Sequence, residues 1–251
     1  MSVLFQLAAP KRFDALAAAA LPWLWLVALA LTIAGMYVGF VVAPTDATQG
    51  EAYRIIYIHV PAAWLSMVLY VAMAFWAVTG WVFKTRMASM FARAIAPTGA
   101  LFTVLALVSG ALWGQPTWGT WWVWDARLTS ELLLLFLYFG FMALTASMED
   151  NATRADAAGA LLALVGTVNV PVIYFSVRWW NTLHQGASVS LTAAPKMAEA
   201  MLLGMLLMSL ACWVYALAVV LLRCRALICE QESDRHWLQS LHAPVAQELS
   251  T

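Results

Sequence analysis

The chain reads as an all-α, polytopic integral membrane protein: a bundle of six transmembrane helices with the N and C termini cytoplasmic. Three observations predict this. Its 251 residues are 64% hydrophobic and 10% charged, whereas soluble domains carry roughly 25% charged residues. Six apolar runs are each long enough to cross a bilayer, which takes about 20 residues. None of them alternates polar and apolar positions as a barrel strand would, and only helices or closed barrels satisfy the backbone in lipid.

The first run, Leu21–Val42, follows Lys11 and Arg12. With no evident cleavage site it is expected to be a retained helix rather than a signal peptide. The second, Ile55–Phe83, opens with His59 and Pro61, the proline falling in a first turn where a missing N–H costs little. At 1.5 Å rise per residue, His59 then lies about 6 Å below the boundary. The third, Ala94–Trp113, runs into a Trp-rich segment. The fourth, Leu128–Met148, carries Glu131 four residues after Arg127 on one helical face, where an ion pair is expected. The fifth, Ala157–Val177, contains Asn169 and Pro171, and the proline is expected to kink it. The sixth is Glu199–Leu222. The organisation is thus one membrane domain, residues 1–222, and a polar tail, residues 223–251, expected to be partly disordered.

Orientation follows from the basic residues. With six spans, Lys11, Arg12, Lys84, Arg86, Arg93, Arg154, Arg223, Arg225 and Arg235 share the side of the termini, leaving Arg54, Arg127, Arg178 and Lys196 on the other. Basic loops stay in the cytoplasm, so the longer connections Ala43–Arg54, Gly114–Arg127 and Arg178–Met197 face outward, into the periplasm if the protein is bacterial. These elaborated loops make the outer face the working face, whereas the short charged connectors Lys84–Arg93 and Glu149–Asp156 only reverse the chain. Zero net charge gives no argument for nucleic acid. Cys212, Cys224 and Cys229 fall in the last span or the tail, so no disulfide framework is expected outside.

The segment 113–127, Trp-Gly-Gln-Pro-Thr-Trp-Gly-Thr-Trp-Trp-Val-Trp-Asp-Ala-Arg, places Trp113, Trp118, Trp121, Trp122 and Trp124 in one outer loop. Trp179 and Trp180 join them from the next. An interfacial belt scatters tryptophans over helix ends; this density makes a flat polarisable surface suited to a flat aromatic ligand. Of the four histidines, His236 and His242 lie in the tail with no metal-ligand spacing around them, while His59 and His184 approach the same outer surface. Each alone reads as a polar residue near water. Imidazole serves several metals, but an apolar aromatic floor gives a hydrated ion nothing, whereas haem needs axial ligands and a dry cleft. Arg54, Arg127 and Arg178 sit at the outer boundary, as propionate partners or as head-group anchors. Asp125 is left open between a tryptophan N–H, a backbone turn and a partner protein. No Cys-x-x-Cys-His is present, so the chain is not itself a c-type cytochrome, and no Gly-x-x-x-x-Gly-Lys-Ser/Thr loop is present to bind ATP.

The Trp-rich stretch, continuing through Leu-Thr-Ser-Glu131, resembles the WWD signature of haem-handling proteins of cytochrome c biogenesis. With one histidine before it and one after it, residues 10–225 resemble the CcmC family. The resemblance implies a non-catalytic subunit of the bacterial inner membrane that holds haem b non-covalently at the periplasmic face, between axial ligands matching His59 and His184 and over the tryptophan floor. It implies presentation of haem to the chaperone CcmE, alongside the separate ATPase CcmA and the membrane subunits CcmB and CcmD. Two other readings stand beside it: a haem permease, which would need a polar or aromatic route from the cytoplasmic side, and a cytochrome b-type electron-transfer anchor, which usually takes its histidines from neighbouring spans.

Overall fold

The computed structural model describes residues 9–148, 150–180, 182, 184, 195, 197–233 and 237. Lys196, Arg235, His236 and His242 lie outside the described residues. Six helical passes are long and apolar enough to cross a membrane, and the chain is a multi-pass membrane protein.

Helix α1, Pro10–Tyr37, starts earlier than its apolar run. Proline suits the first helical position, alanines at 15 and 17–20 favour helix, and Asp14 closes on Arg225 of the last helix at 2.7 Å. The helix ends in a π turn, Val38–Val42, in which the Ala43 N–H donates to the Val38 carbonyl at 2.8 Å. Arg54 Nη1 donates to the Gly39 and Ala43 carbonyls at 2.6 and 3.2 Å, satisfying acceptors that this loosened end leaves over.

A 3-10 turn, Glu51–Ile55, feeds directly into α2, Ile56–Phe83. Pro61 therefore lies inside the helix rather than in its first turn, and it denies the Tyr57 carbonyl its usual donor four residues on. Lys84, at φ 52° and ψ 39°, stops α2. Helix α3, Arg86–Trp118, resumes at once. The connector expected over Lys84–Arg93 shrinks because Met87, Ala88, Met90 and Ala92 are helix formers whose burial continues the core. At its other end α3 runs through Trp113 to Trp118, taking two tryptophans out of the expected loop, and Gly119 terminates it in the left-handed conformation at φ 78°.

Asp125 caps α4, Ala126–Ala146, accepting from the Leu128 N–H at 2.8 Å. The fifth pass is two helices, α5, Ala152–Gly166, and α6, Asn169–Trp179. The kink expected at Pro171 is thus a break at Thr167–Val168. Pro171 cannot donate back to the Thr167 carbonyl, which takes the Val170 N–H at 3.1 Å instead. Asn169 Nδ2 bridges the break by donating to the Ser130 carbonyl of α4 at 2.8 Å. Helix α7, Glu199–Gln231, continues past Leu222, so Arg223, Arg225, Cys224 and Cys229 are helical, with Cys224 and Ile228 buried.

Helix α2 is central, touching α3, α5 and α7; α4 packs on α3, α5 and α6, and α1 rests on α7. Tyr57, Tyr70, Met73, Leu134 and Tyr138 fill the interior. One end of the bundle is basic, with Arg93 bonded to Asp156 at 3.0 Å and Arg225 to Asp14. The opposite end carries the tryptophans and is called the aromatic end below.

Candidate functional site

His59 projects from α2 onto α3. Its Nδ1 lies 3.1 Å from both the Ala106 carbonyl and Ser109 Oγ. A carbonyl only accepts, so Nδ1 carries the hydrogen and Nε2 carries the lone pair. The ring can approach because residue 110 is glycine, where a Cβ would come 3.0 Å from His59 Cε1. Trp113, one turn further along α3, meets the imidazole edge-on at 5.6 Å, and its own N–H is held by Gln49 Oε1 at 2.7 Å.

His184 lies beyond the end of α6 and is fixed in the same manner. Its Nδ1 lies 3.0 Å from Asp125 Oδ2, and Thr182 Oγ1 bonds the same carboxylate oxygen. Both side chains are largely enclosed, His184 at 12% and Asp125 at 9% exposure. Burial opposes the Asp125 charge, but hydrogen bonds from Thr182, the Leu128 N–H and His184 outweigh it and hold the carboxyl below its ordinary pKa. Burial, reinforced by nearby Arg127, also holds the His184 imidazole below its ordinary 6.5 despite the carboxylate. At neutral pH the ring is therefore uncharged, donates Nδ1–H to Asp125 and leaves Nε2 as a lone-pair donor. A carboxylate that fixes the tautomer of a ligand-competent histidine is the usual outer-shell partner of a metal-binding imidazole.

Helix α3 links the two histidines: Trp113 contacts His59, and Trp118 meets the His184 ring at 4.8 Å. Gly114 admits the Trp118 ring, to which a Cβ would approach within 3.1 Å. Arg127 lies within electrostatic reach of both imidazoles, and the imidazoles of each other. Sequence reasoning missed Ala106, Ser109, Gly110, Gly114 and Thr182, although Gly110-Ala-Leu-Trp-Gly114 is a Gly-x-x-x-Gly pattern of the kind that permits close approach in membranes.

The remaining sequence-predicted residues are distributed unevenly. Trp122 and Trp124 meet edge-on at 5.4 Å, and the Trp122 N–H is buried with no partner among the described residues. Trp179 stacks on Phe175 and touches Trp180 at 5.8 Å. Trp121, Trp124, Trp179 and Trp180 are exposed, and among the described residues the ring contacts to the histidines come from Trp113 and Trp118. Arg54 is engaged by Glu51 and by the carbonyls at the end of α1. Arg178 is exposed beside the Phe175 ring at 6.0 Å. Arg127 and Glu131 do not form the expected ion pair: Glu131 Oε1 bonds Ser66 Oγ at 2.7 Å, and Arg127 has neither hydrogen bond nor ion pair among the described residues.

No group of three or more His, Cys, Asp or Glu among the described residues is placed to hold a metal ion. The donors present beside the indole rings are two neutral-type imidazoles, His59 on Trp113 and His184 on Trp118, a donor set of the kind that serves a macrocycle supplying its own nitrogens.

Comparison with known proteins agrees in extent. Residues 3–239 match the family model CcmC, heme exporter protein C. Heme exporter protein C of Escherichia coli (strain K12) is 46% identical over 242 residues, covering 95% of this chain and 96% of the relative. The protein of that name from Bradyrhizobium diazoefficiens is 47% identical over 208 residues, 83% of this chain and 78% of the relative. A putative cytochrome c biosynthesis ccmC-like mitochondrial protein of Marchantia polymorpha is 48% identical over 160 residues, 64% of this chain and 67% of the relative. The match spans all six passes and both histidine-bearing segments, and the chain belongs to the CcmC family of heme exporter C proteins.

Proposed function

We propose that this chain is a non-catalytic haem-holding subunit of cytochrome c maturation, with haem b as its cargo. The aromatic end faces the periplasm and the termini the cytoplasm of a bacterial inner membrane, as the basic end suggests. His59 and His184 are the axial ligands, Arg127 meets a propionate, and the tryptophans face the macrocycle. The observation that carries this is the matched orientation of the two imidazoles, each with Nδ1 on a fixed acceptor and Nε2 left over. The names of the relatives support haem as the cargo and cytochrome c biosynthesis as the setting. From the same family reading, the chain presents haem to CcmE and works with CcmB, CcmD and the ATPase CcmA.

The permease reading fits less well, since Tyr57, Tyr70, Met73, Leu134 and Tyr138 close the interior. The cytochrome b reading also fits less well, since His184 lies outside the helices.

The test is absorption spectroscopy of detergent-purified protein. The unmodified chain carries haem with a Soret band that His59→Ala and His184→Ala each abolish while helix content is retained. Normal haem in both variants would falsify the ligand assignment.

A further inference from the structure

Glu131 is a buried acid on α4, 6% exposed, that the site does not use directly. Its immediate polar neighbour is Ser66 of α2, and the hydrogens around Ser66 can be counted. Ser66 Oγ lies 2.8 Å from the Ala63 carbonyl and 2.7 Å from Glu131 Oε1. A serine hydroxyl has one hydrogen, and the carbonyl can only accept. If that hydrogen goes to Ala63, as in the common back-bond to the preceding turn, the second short contact needs a hydrogen from Glu131. Tyr138 cannot supply it, because its hydroxyl donates to the Ser66 carbonyl at 2.8 Å. Nor can Asn169, whose amide donates to the Ser130 carbonyl.

The charges agree with this count. The charged group facing Glu131 is Arg127, one turn along α4, and the two do not pair; Tyr138 from α4, Ser66 from α2 and Asn169 from α6 offer only neutral polar groups. An ionised carboxylate enclosed within a membrane bundle, with one hydrogen bond and a guanidinium one turn away, would draw that guanidinium in. The Arg127 side chain instead lies where it acts on both imidazoles.

We infer that Glu131 is a protonated internal acid that leaves Arg127 available at the aromatic end, so that ionising Glu131 withdraws Arg127 from an anionic ligand there. Glu131 is then a positioning residue with two states. Protonated, it donates to Ser66 and Arg127 serves the site; ionised, it pairs with Arg127 and the site loses its cation. The proton leaves to solvent as Glu131 ionises and returns when it is neutralised. The second half rests on the reading of Arg127 as a propionate partner, whereas the first half does not.

Two measurements on the full chain test it. Infrared difference spectra between the unmodified protein and Glu131→Gln, at neutral pH, should contain the carbonyl stretch of a protonated carboxylic acid. That stretch shifts to lower frequency in heavy water and moves again in Ser66→Ala. Absence of any acid band dependent on Glu131 overturns the inference. The second measurement is the ratio of affinities for iron protoporphyrin IX and its dimethyl ester, which cancels pH effects on the iron. The ratio should fall with rising pH, approaching about tenfold per pH unit for a single linked proton, and Glu131→Gln should flatten it. Superimposed profiles overturn the coupling. A ratio near one at every pH removes the Arg127–propionate reading and the coupling with it, whereas an acid band found in the same protein still establishes the proton-binding site.

Discussion

At the residue scale, each histidine is held by fixed neighbours, His59 by Ala106 and Ser109 and His184 by Asp125 and Thr182. Asp125 fixes the His184 ring and caps α4 with its other oxygen, so Asp125→Ala should weaken haem binding by about 10- to 100-fold, the usual effect of removing an outer-shell carboxylate. Equilibrium haem titration checks this, with far-ultraviolet circular dichroism to confirm the fold. Gly110→Ala places a methyl 3.0 Å from His59 Cε1 and should push that ring away, lowering haem occupancy without unfolding α3. Protons also compete for the same lone pairs. Because burial holds the His184 pKa below its ordinary 6.5, the acid-side loss of haem affinity, as protonation removes Nε2, should be centred at lower pH than for an ordinary imidazole. A decline already complete at pH 6.5 would contradict that direction. Sequence reasoning put His59, His184, Trp113 and Trp118 at one end of the bundle, and the structure pairs Trp113 with His59 and Trp118 with His184. The partner of Glu131 was not legible in sequence: spacing along one helix suggested Arg127, and nothing linear names Ser66, which arrives from another helix. Asp125 was ambiguous for the same reason, since His184 comes to it from 59 residues away.

At the scale of elements, hydropathy found all six passes but misjudged where they stop. The transfer free energy that marks a span ends at the hydrocarbon boundary, whereas a helix continues as long as its backbone bonds are made and its residues favour helix. Hence α3 carries Trp113 and Trp118 on a rigid rod, and α7 absorbs residues first assigned to a tail. The break between α5 and α6 shows the opposite case, a proline cue that sequence placed correctly within a few residues. Asn169 bridges that break, and Asn169→Ala should lower thermal stability in detergent by about 0.6 to 1.5 kcal/mol, the range for hydrogen bonds between membrane helices. A melting temperature unchanged from the unmodified protein would show that packing alone holds α6 on α4.

On the scale of the whole molecule, charge is segregated by end. Arg93, Asp156, Arg225, Asp14 and Arg86 gather at one end, while tryptophan dominates the other. This predicts that a carboxy-terminal fluorescent-protein fusion glows and a carboxy-terminal alkaline phosphatase fusion is inactive in a bacterial host, with the reverse outcome for fusions truncated within residues 119–124. The fold class was legible because lipid permits so few architectures. Which side chains meet at the aromatic end depended on helix rotation, which composition does not encode.

The two halves of the site are mounted differently. His59 grows from the middle helix of a close-packed bundle, with its Nδ1 on the Ala106 carbonyl of α3. His184 lies beyond the end of α6, held by Thr182 and Asp125. On the proposed ligation, a guest between the two rings would meet one imidazole carried by a packed helix and one held through side-chain hydrogen bonds. On that ligation, release on the His184 side would act through its contacts with Asp125, Thr182 and Trp118. Unloading would then respond to substitution of those few side chains rather than of residues in the packed interior.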